Sequence, residues 1–283
     1  MVTPARATPA QLLKRTIING VRATFNDKKR GETPVERASN ALFAPDSVTW
    51  RVHGDVTTMM IGGFASLMLQ MLHPAVLAGV WDHSRFREDS MGRLRRTARF
   101  IAVTTFGPRD AAGEAIARVR RIHAGVRGTL PDGTPYIADD PRSLAWVHAT
   151  ESLCFLDAWV RYGDPRMSLA DRDRYFAEVA QVGRALGADP VPQTRAEAIA
   201  IIEAMRCELR VDERTREVAQ FLMKRRPDAL VALPAQNAVI AAAVDLLPDW
   251  ARRMHALPSP VFLKPLVRAS AVGLAGTLRW AFR

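Results

Sequence analysis

Cysteine is scarce in this 283-residue sequence, which contains only Cys154 and Cys207 and has neither a CxxC nor a CxxCH motif. A disulfide scaffold, a structural zinc site or an iron–sulfur cluster needs more thiols than this, and a covalently bound c-type haem needs CxxCH. The sequence therefore argues against all four kinds of site.

Several catalytic motifs are also missing. There is no HExxH, GxGxxG, Walker loop or GxSxG, and none of the six histidines has a glutamate three residues before it. These absences argue against zinc proteases, dinucleotide-binding and P-loop enzymes, serine hydrolases of the nucleophile-elbow type and di-iron helical bundles.

Lysine is rare as well, with five residues against 35 arginines, yet the formal net charge is +11 and the pI is near 10.7. Such a charge favours an anionic partner, or it reflects arginines spread evenly over the surface. No RNA-binding signature, zinc-finger spacing or aromatic-plus-basic platform is present, so we expect no nucleic-acid partner.

Long apolar runs and a signal-peptide pattern are lacking too. The most apolar stretch, MMIGGFASLMLQML at Met59–Leu72, is shorter than a membrane-spanning helix needs and contains Gly-Gly, which predicts a buried core helix. We expect a cytoplasmic protein, either free or associated with the inner face of the membrane.

What the sequence does contain is helical periodicity with few strand patterns. Helix starts and stops predict an all-α fold, a single-domain multi-helix bundle that packs like a globin around a pocket. We divide it into an N-terminal helix and loop (1–44), a central helical domain (45–250) and a C-terminal tail (251–283). Predicted helices cover 10–25, 56–81 with a break at His73-Pro74, 92–105, 110–126, a long helix from Pro141, 195–209, 213–224, 235–247 and 265–283.

The stretch RVRRIHAGVRG places His123 among arginines on one of these helices. Ile116, Val119 and Val126 form an apolar stripe that His123 completes, so the imidazole is expected to face the core. Arg120 and Arg127, at i−3 and i+4, share its face. Burial and nearby positive charge both lower the pKa of an imidazole, and the neutral form can bind a metal. A core histidine bonded to a carbonyl is the alternative.

Two further helical faces carry polar groups. His148 and Glu151 interrupt an apolar stripe on the helix from Pro141, where they either fix helix packing or orient a ligand. The segment GRLRRTARF puts Arg93, Arg96 and Thr97 at i, i+3 and i+4, which is either a functional cluster or a solvated arginine face.

An apolar helical pocket with a buried histidine and an arginine-lined face fits haem, since imidazole binds the iron and guanidinium groups bind the propionates. An empty core is the other interpretation.

His73 and His83, ten residues apart, cannot share a metal unless the helix between them is broken.

The C-terminal segment 264–283 has its own pattern. On a helix, Arg268, Arg279 and Arg283 fall within roughly 60° of arc with Lys264 beside them, so the segment either lies on an anionic membrane or docks on the core with its arginines in water.

Four motifs in order, HPAVLAGVWDHSRF, GRLRRT, RVRRIHAGVRG and DGTPYIADDPRSLAWVHAT, resemble the MpaB-type and rubber oxygenase (latex clearing protein) family over roughly residues 45–250. The resemblance implies an all-α domain that binds a non-covalent b-type haem. It implies His123, of the Arg-x-x-His motif with Arg120, as the proximal iron ligand, with Arg127 and His148 as further cofactor contacts.

The resemblance also implies a catalytic role for Arg93, Arg96 and Thr97 on the distal side, where the family's motif is Arg-x-x-Lys-Thr. In rubber oxygenases that lysine can occupy the iron, but Arg96 offers no lone pair, so we expect no such capped state. Arg96 is still able to donate hydrogen bonds to dioxygen. The family's distal glutamate has no counterpart in MLQMLHPAVLAGV, and Asp82 is our nearest candidate.

The function implied is dioxygen-dependent oxidation of an apolar unsaturated substrate, an isoprenoid, terpenoid or lipid, by cleavage of a carbon–carbon double bond. Polyisoprene is not expected, since no export signal is present. Two alternatives stay open: a haem-binding protein without turnover, and a helical lipid-binding protein at the membrane surface that contacts the bilayer through 264–283.

Overall fold

The computed structural model describes residues 8–27, 31–224, 233–257 and 261–283. Within these ranges the chain forms helices α1 Pro9–Phe25, α2 Val48–His53, α3 Val56–Gln70, α4 Pro74–His83, α5 Ser90–Phe106, α6 Arg109–Gly125, α7 Pro141–Tyr162, α8 Leu169–Leu186, α9 Arg195–Met205, α10 Glu213–Lys224, α11 Leu233–Leu246, α12 Asp249–Met254 and α13 Lys264–Phe282. The predicted all-α fold is confirmed.

Local capping chemistry explains where the central helices begin and end. Asp140 accepts a hydrogen bond from the Ser143 amide at 2.7 Å, ahead of a proline at the first turn of α7. Thr194 caps α9 in the same way. Gly187 ends α8 with φ of 98°, a left-handed conformation that glycine adopts without a Cβ clash.

The predicted break at His73-Pro74 separates α3 from α4, and their axes differ by 103°. Within the described ranges, no single helix is long and apolar enough to cross a bilayer, and only the bent α3–α4 pair meets those criteria together.

A short hairpin, absent from the predicted all-α fold, follows α6. Strands β1 Arg127–Thr129 and β2 Pro135–Ile137 pair antiparallel around a turn in which Gly133 has φ of 86°. The Tyr136 ring is buried, and its hydroxyl donates to Asp82 Oδ2 at 2.7 Å. The sequence signal was weak because each strand has only three residues.

Helix α7 lies at the centre of the bundle and packs most extensively against α3. The two helices approach closely at Gly62. A Cβ atom added there would lie 2.7 Å from the Cys154 carbonyl oxygen and 2.9 Å from the Phe155 Cα. Because both of those atoms belong to the backbone, the helices themselves would have to separate.

We expect Gly62→Ala to lower the free energy of unfolding by about 2–3 kcal/mol, within the usual cost of overpacking a core. Gly63→Ala is the matched control, since its Cβ would meet only Phe155 Cε1 at 3.6 Å. That variant should gain up to about 1 kcal/mol from helix propensity. Urea denaturation of both proteins tests the difference, and equal stabilities would show that the α3–α7 crossing does not depend on Gly62.

Helix α13 packs against α3, α7 and α11, and two of its arginines bind buried aspartates. Arg268 Nε lies 3.0 Å from Asp245 Oδ2, and Arg279 Nε lies 2.6 Å from Asp55 Oδ2. Of the two arrangements that the sequence left open for this segment, docking on the core is the one observed, but these two arginines are paired with aspartates and are not simply in water; contact with a membrane stays a prediction. Their aspartate partners, far away in sequence, could not be read from the local pattern.

Candidate functional site

The predicted site residues lie on two pairs of packed helices. Helices α5 and α6 pack against each other, as do α3 and α7, but no extensive contact joins the two pairs within the described part of the chain. Helices α2 and α8 bridge them. We call the region between the two pairs the interhelical cleft.

His123 takes the core-facing position on α6 that its spacing predicts. Ile116 is buried, Val119 and His123 are half-buried, and Ile122 beside them is exposed. His123 Nδ1 is buried without a hydrogen-bond partner in the described structure. Burial lowers the pKa of the imidazole, against the opposing effect of the Asp139 carboxylate. The ring is therefore neutral at pH 7 and can act as a ligand.

Of the two arginines predicted to share the face of His123, only Arg120 lies with it on α6. Helix α6 ends at Gly125, so Arg127 lies in β1 and not on the helical face where the sequence analysis placed it. Its guanidinium donates to the Ala124 carbonyl at 2.8 Å, and both Arg120 and Arg127 are exposed. The lowered pKa of His123 comes from burial, and these arginines are not among its causes.

Arg93, Arg96 and Thr97 share a segment of α5 but differ in environment. Arg96 is exposed and bound to Asp89 at 3.0 Å, and the exposed Thr97 hydroxyl donates to the Arg93 carbonyl at 3.2 Å. Arg93 is more enclosed than Arg96, since its side chain is half-buried. This burial and the neighbouring Arg96 both lower the pKa of its guanidinium. No carboxylate in the described residues forms an ion pair with Arg93, so this cation lacks an anion.

His148 is buried on α7 against α8, with only 8% of its surface exposed. Its ring lies over Gly183, where an added Cβ would be 2.8 Å from His148 Nε2. That nitrogen has no hydrogen-bond partner among the described residues, and burial together with Arg184 lowers the pKa of the ring to about 4. Helix α8 is thus the common neighbour of α6, which carries His123, and of α7.

Glu151, one turn after His148, is the most perturbed carboxyl group near the cleft. It forms no ion pair or hydrogen bond within the described ranges, and burial raises its pKa to about 7. The side chain nevertheless keeps some accessible surface. With a pKa of about 7, the carboxyl is partly protonated at neutral pH.

Sequence reasoning missed a polar chain at the point where α2, α5 and α8 meet. His53 Nδ1 lies 2.8 Å from the Thr105 hydroxyl, and His53 Nε2 lies 2.9 Å from the Tyr175 hydroxyl. Burial lowers the pKa of His53 to about 3, and Glu151 contributes to the raised pKa of Tyr175. The signal was hidden because these residues are more than 50 positions apart along the chain.

Other candidate residues are occupied elsewhere. Asp82, considered as a distal acid, binds the Tyr136 hydroxyl and lies 3.3 Å from Arg214 Nη1. His73 and His83 lie at opposite ends of α4, near Glu208 and the Arg127 carbonyl respectively. None of these three is therefore placed as a ligand beside His123.

The titration of Glu151 leads to a prediction on stability. Its pKa is raised from 4.5 to about 7 in the folded chain, so the folded state binds more protons than the unfolded state between these values. Stability contributed by this residue is present below pH 4.5 and is lost as the pH rises through 7. We expect Glu151→Gln to be more stable than the parent at pH 8 by about 1–2 kcal/mol, a value discounted for the accessible surface of the group.

Thermal unfolding of the parent and of Glu151→Gln from pH 5 to pH 8 checks this prediction. His53 and His148, whose lowered pKa values act on stability in the opposite direction, are present in both proteins, so the difference in stability reports Glu151 alone. Glu114→Gln is the control, because Glu114 is exposed. Glu178→Gln would not serve, since Glu178 accepts a hydrogen bond from the Thr49 amide. A pH-independent difference would contradict the assignment.

These residues fit a haem group in part. His123 offers a neutral imidazole with an orphaned buried nitrogen, Arg93 offers an enclosed cation without an ion-pair partner among the described residues, and α3 carries partly buried apolar side chains at Met60, Phe64 and Leu67. An imidazole, a guanidinium and apolar walls are the groups that hold an iron porphyrin with its propionates.

Two surface cavities lie away from this set. One, of about 600 Å³, lies between Trp50, Trp159 and several arginines. The other, of about 190 Å³, lies beside Pro74 and Leu130. Neither is lined by a predicted site residue.

Comparison with known proteins gives one family match. Residues 50–280 match the family described as "ER-bound oxygenase mpaB/B'/Rubber oxygenase, catalytic domain". Neither a comparison with curated proteins nor one with solved structures gives a match. The matched range contains α3 to α11 and every predicted site residue, and it continues thirty residues beyond the segment that carries the sequence resemblance.

Proposed function

The chain belongs to the family of ER-bound oxygenases mpaB/B' and rubber oxygenases, whose catalytic domain it contains, and from this premise we propose that it is a haem b-dependent oxygenase. Its substrate is an apolar unsaturated molecule of the isoprenoid, terpenoid or lipid class, and its co-substrate is dioxygen. The reaction class is oxidative cleavage of a carbon–carbon double bond.

The observation that carries the proposal is His123, a neutral imidazole in a core-facing stripe with a buried nitrogen that has no partner. Imidazoles that serve a core structurally are normally hydrogen-bonded, because an unmade buried hydrogen bond costs about 1–3 kcal/mol. His123 departs from this rule, as do His73 and His148, but of the three only His123 lies where the family's Arg-x-x-His motif falls.

Bound haem supplies the activation of dioxygen. The protein's own residues hold the group and manage charge and protons around it. His123 would hold the iron on one side, and the enclosed Arg93 would bind an anion, either a propionate or developing negative charge at the reacting oxygen. Because burial strengthens such a charge interaction, Arg93 is better placed for it than the exposed Arg96.

Glu151 is our candidate for the acid that the sequence analysis could not place. With a pKa of about 7 it is able to hold or release a proton at a carboxyl oxygen under working conditions. The partly buried apolar side chains of α3, the helix that packs against α7, would exclude water from a bound substrate. A pocket of this composition favours an apolar substrate, since it offers few hydrogen bonds that would distinguish a polar one.

The absorption spectrum of the purified chain, with and without dithionite, tests the cofactor. We expect a Soret band that shifts on reduction, either as purified or after addition of haem b. A protein that stays colourless after haem is added would exclude the proposal.

Oxygen uptake separates an enzyme from a haem-binding protein without turnover. With reduced, haem-loaded protein, a panel of isoprenoids should include one that accelerates oxygen consumption and gives carbonyl products. A haem protein that consumes no oxygen above its rate without substrate would support a carrier or sensor instead.

A further inference from the structure

The outer face of α13 is apolar and exposed. Leu266, Ala269, Gly273, Gly276 and Trp280 follow spacings of 3, 4, 3 and 4, which places them on one side of the helix, and all five are exposed. Leu266 retains 65% and Trp280 40% of its surface. The opposite side of α13, with Ala271 and Ala275, packs into the bundle.

Helix α1 extends this surface. It packs against α13, has no buried residue, and exposes 53% of Leu12 and of Leu13. Lys14 places its Nζ 5.0 Å from the centroid of the Trp280 ring, so a cation lies next to the apolar stripe. We call the exposed residues Leu12, Leu13, Leu266 and Trp280, with the small residues between the last two, the α1–α13 face.

Charge around this face has one sign. Helices α1 and α13 together contain no aspartate or glutamate and six basic residues, of which Arg268 and Arg279 are paired with aspartates of the bundle. Of the other four, Lys264 lies on the arc of Arg268 and Arg279, whereas Lys14, Arg15 and Arg22 belong to α1 and form no ion pair among the described residues. An exposed apolar stripe with such cations and a tryptophan beside it is the composition of a surface that inserts shallowly into an anionic bilayer.

We propose that the α1–α13 face is a membrane-docking surface whose partner is a bilayer that contains anionic lipid. Leu12, Leu13, Leu266 and Trp280 enter the boundary between headgroups and acyl chains, and the three cations of α1 bind lipid phosphates. This differs from the arginine-driven contact expected from the sequence, because the apolar side of α13 faces outward while Arg268 and Arg279 bind the protein. The inference does not depend on haem.

Co-sedimentation of the full chain with vesicles tests the proposal. We expect binding to vesicles of phosphatidylcholine mixed with phosphatidylglycerol, weakened by high salt, and at least tenfold weaker binding to phosphatidylcholine alone. The double variant Leu266→Gln/Trp280→Gln should weaken binding to the mixed vesicles by at least tenfold. Leu169→Gln, at an equally solvated leucine on α8, should bind like the parent.

Light scattering during size-exclusion chromatography, together with circular dichroism, completes the test. The small residues of the stripe could also pack against a second copy of the chain. A dimer that the double variant dissociates, with vesicle binding unchanged, would overturn the proposal. So would a folded double variant that binds vesicles as tightly as the parent. If the double variant does not fold, Lys14→Gln/Arg15→Gln replaces it in the test, because it changes only exposed or half-exposed groups. This second variant should also weaken binding to the mixed vesicles.

Discussion

His123→Ala is expected to abolish stable haem binding while the helical fold remains. Loss of a residue that only hydrogen-bonds a metal ligand already lowers metal affinity by about 10–100-fold. Loss of the proposed ligand itself should therefore lower haem affinity by more than that. The Soret band should be lost or greatly reduced after desalting, and oxygen uptake should fall with it. Because His123 is half-buried and makes no hydrogen bond through Nδ1, its truncation breaks no hydrogen bond at that atom.

The matched control is His83→Ala. His83 is an exposed histidine whose Nε2 lies near the Arg127 carbonyl, close to the end of α6 but outside the core-facing stripe. That variant should keep the full Soret band. Imidazole added to the His123→Ala protein should restore part of the band, as expected for a lost ligand but not for a collapsed pocket. An unchanged Soret band in His123→Ala would transfer the ligand role to another residue, with His148 the first to examine.

The second large effect is expected at Arg93. Arg93→Met keeps the length and helix propensity of the side chain but removes an enclosed cation that has no anion in the described structure. The haem-free variant should gain stability, by about 1 kcal/mol, because an enclosed charge is no longer held without a partner. Turnover should fall by about 100-fold, the usual cost of removing one preorganised charge from a transition state.

A rise in stability with a fall in turnover distinguishes a functional role of Arg93 from a structural one, because loss of a structural residue would lower both. Arg96→Met is the control, since Arg96 is exposed and bound to Asp89, and such surface ion pairs contribute about 0–1 kcal/mol. It should change turnover much less than Arg93→Met. Haem transfer to apomyoglobin distinguishes the two roles of Arg93: faster loss indicates a propionate contact, and unchanged loss indicates action on the reacting oxygen. If Arg93→Met turned over like the parent, Arg93 would have no part in the reaction.

Much of the fold could be predicted because it is encoded locally. The helix starts at Pro141 and Arg195 and the break at His73-Pro74 depend on residues within one helical turn, so single-sequence reasoning reaches them. His123 was assigned to the core side of its helix for the same reason. Helical spacing is a local property, and Ile116, Val119 and His123 keep it in the structure.

Features that arise from distant parts of the chain could not be predicted in this way. The local pattern of α13 shows the arc of its arginines but not Asp55 and Asp245, which pair with two of them. Spacing on α5 put Arg93, Arg96 and Thr97 on one face, yet only Arg93 is enclosed, since that depends on which helices cover it. The placement of Arg127 was wrong because the helix ends two residues earlier, where the hairpin begins.

The pairing of Asp55 with Arg279 also sets a time scale for biosynthesis. These residues are 224 positions apart in the chain. At translation rates of roughly 5–20 residues per second, about 10–45 s pass between the synthesis of α3 and that of its partner on α13. Throughout that interval the surface of α3 that α13 finally covers has no native neighbour. We therefore expect the nascent chain to depend on holding chaperones, and a synonymous change that slows translation between α11 and α13 to lower the yield of folded protein more than one placed before α2.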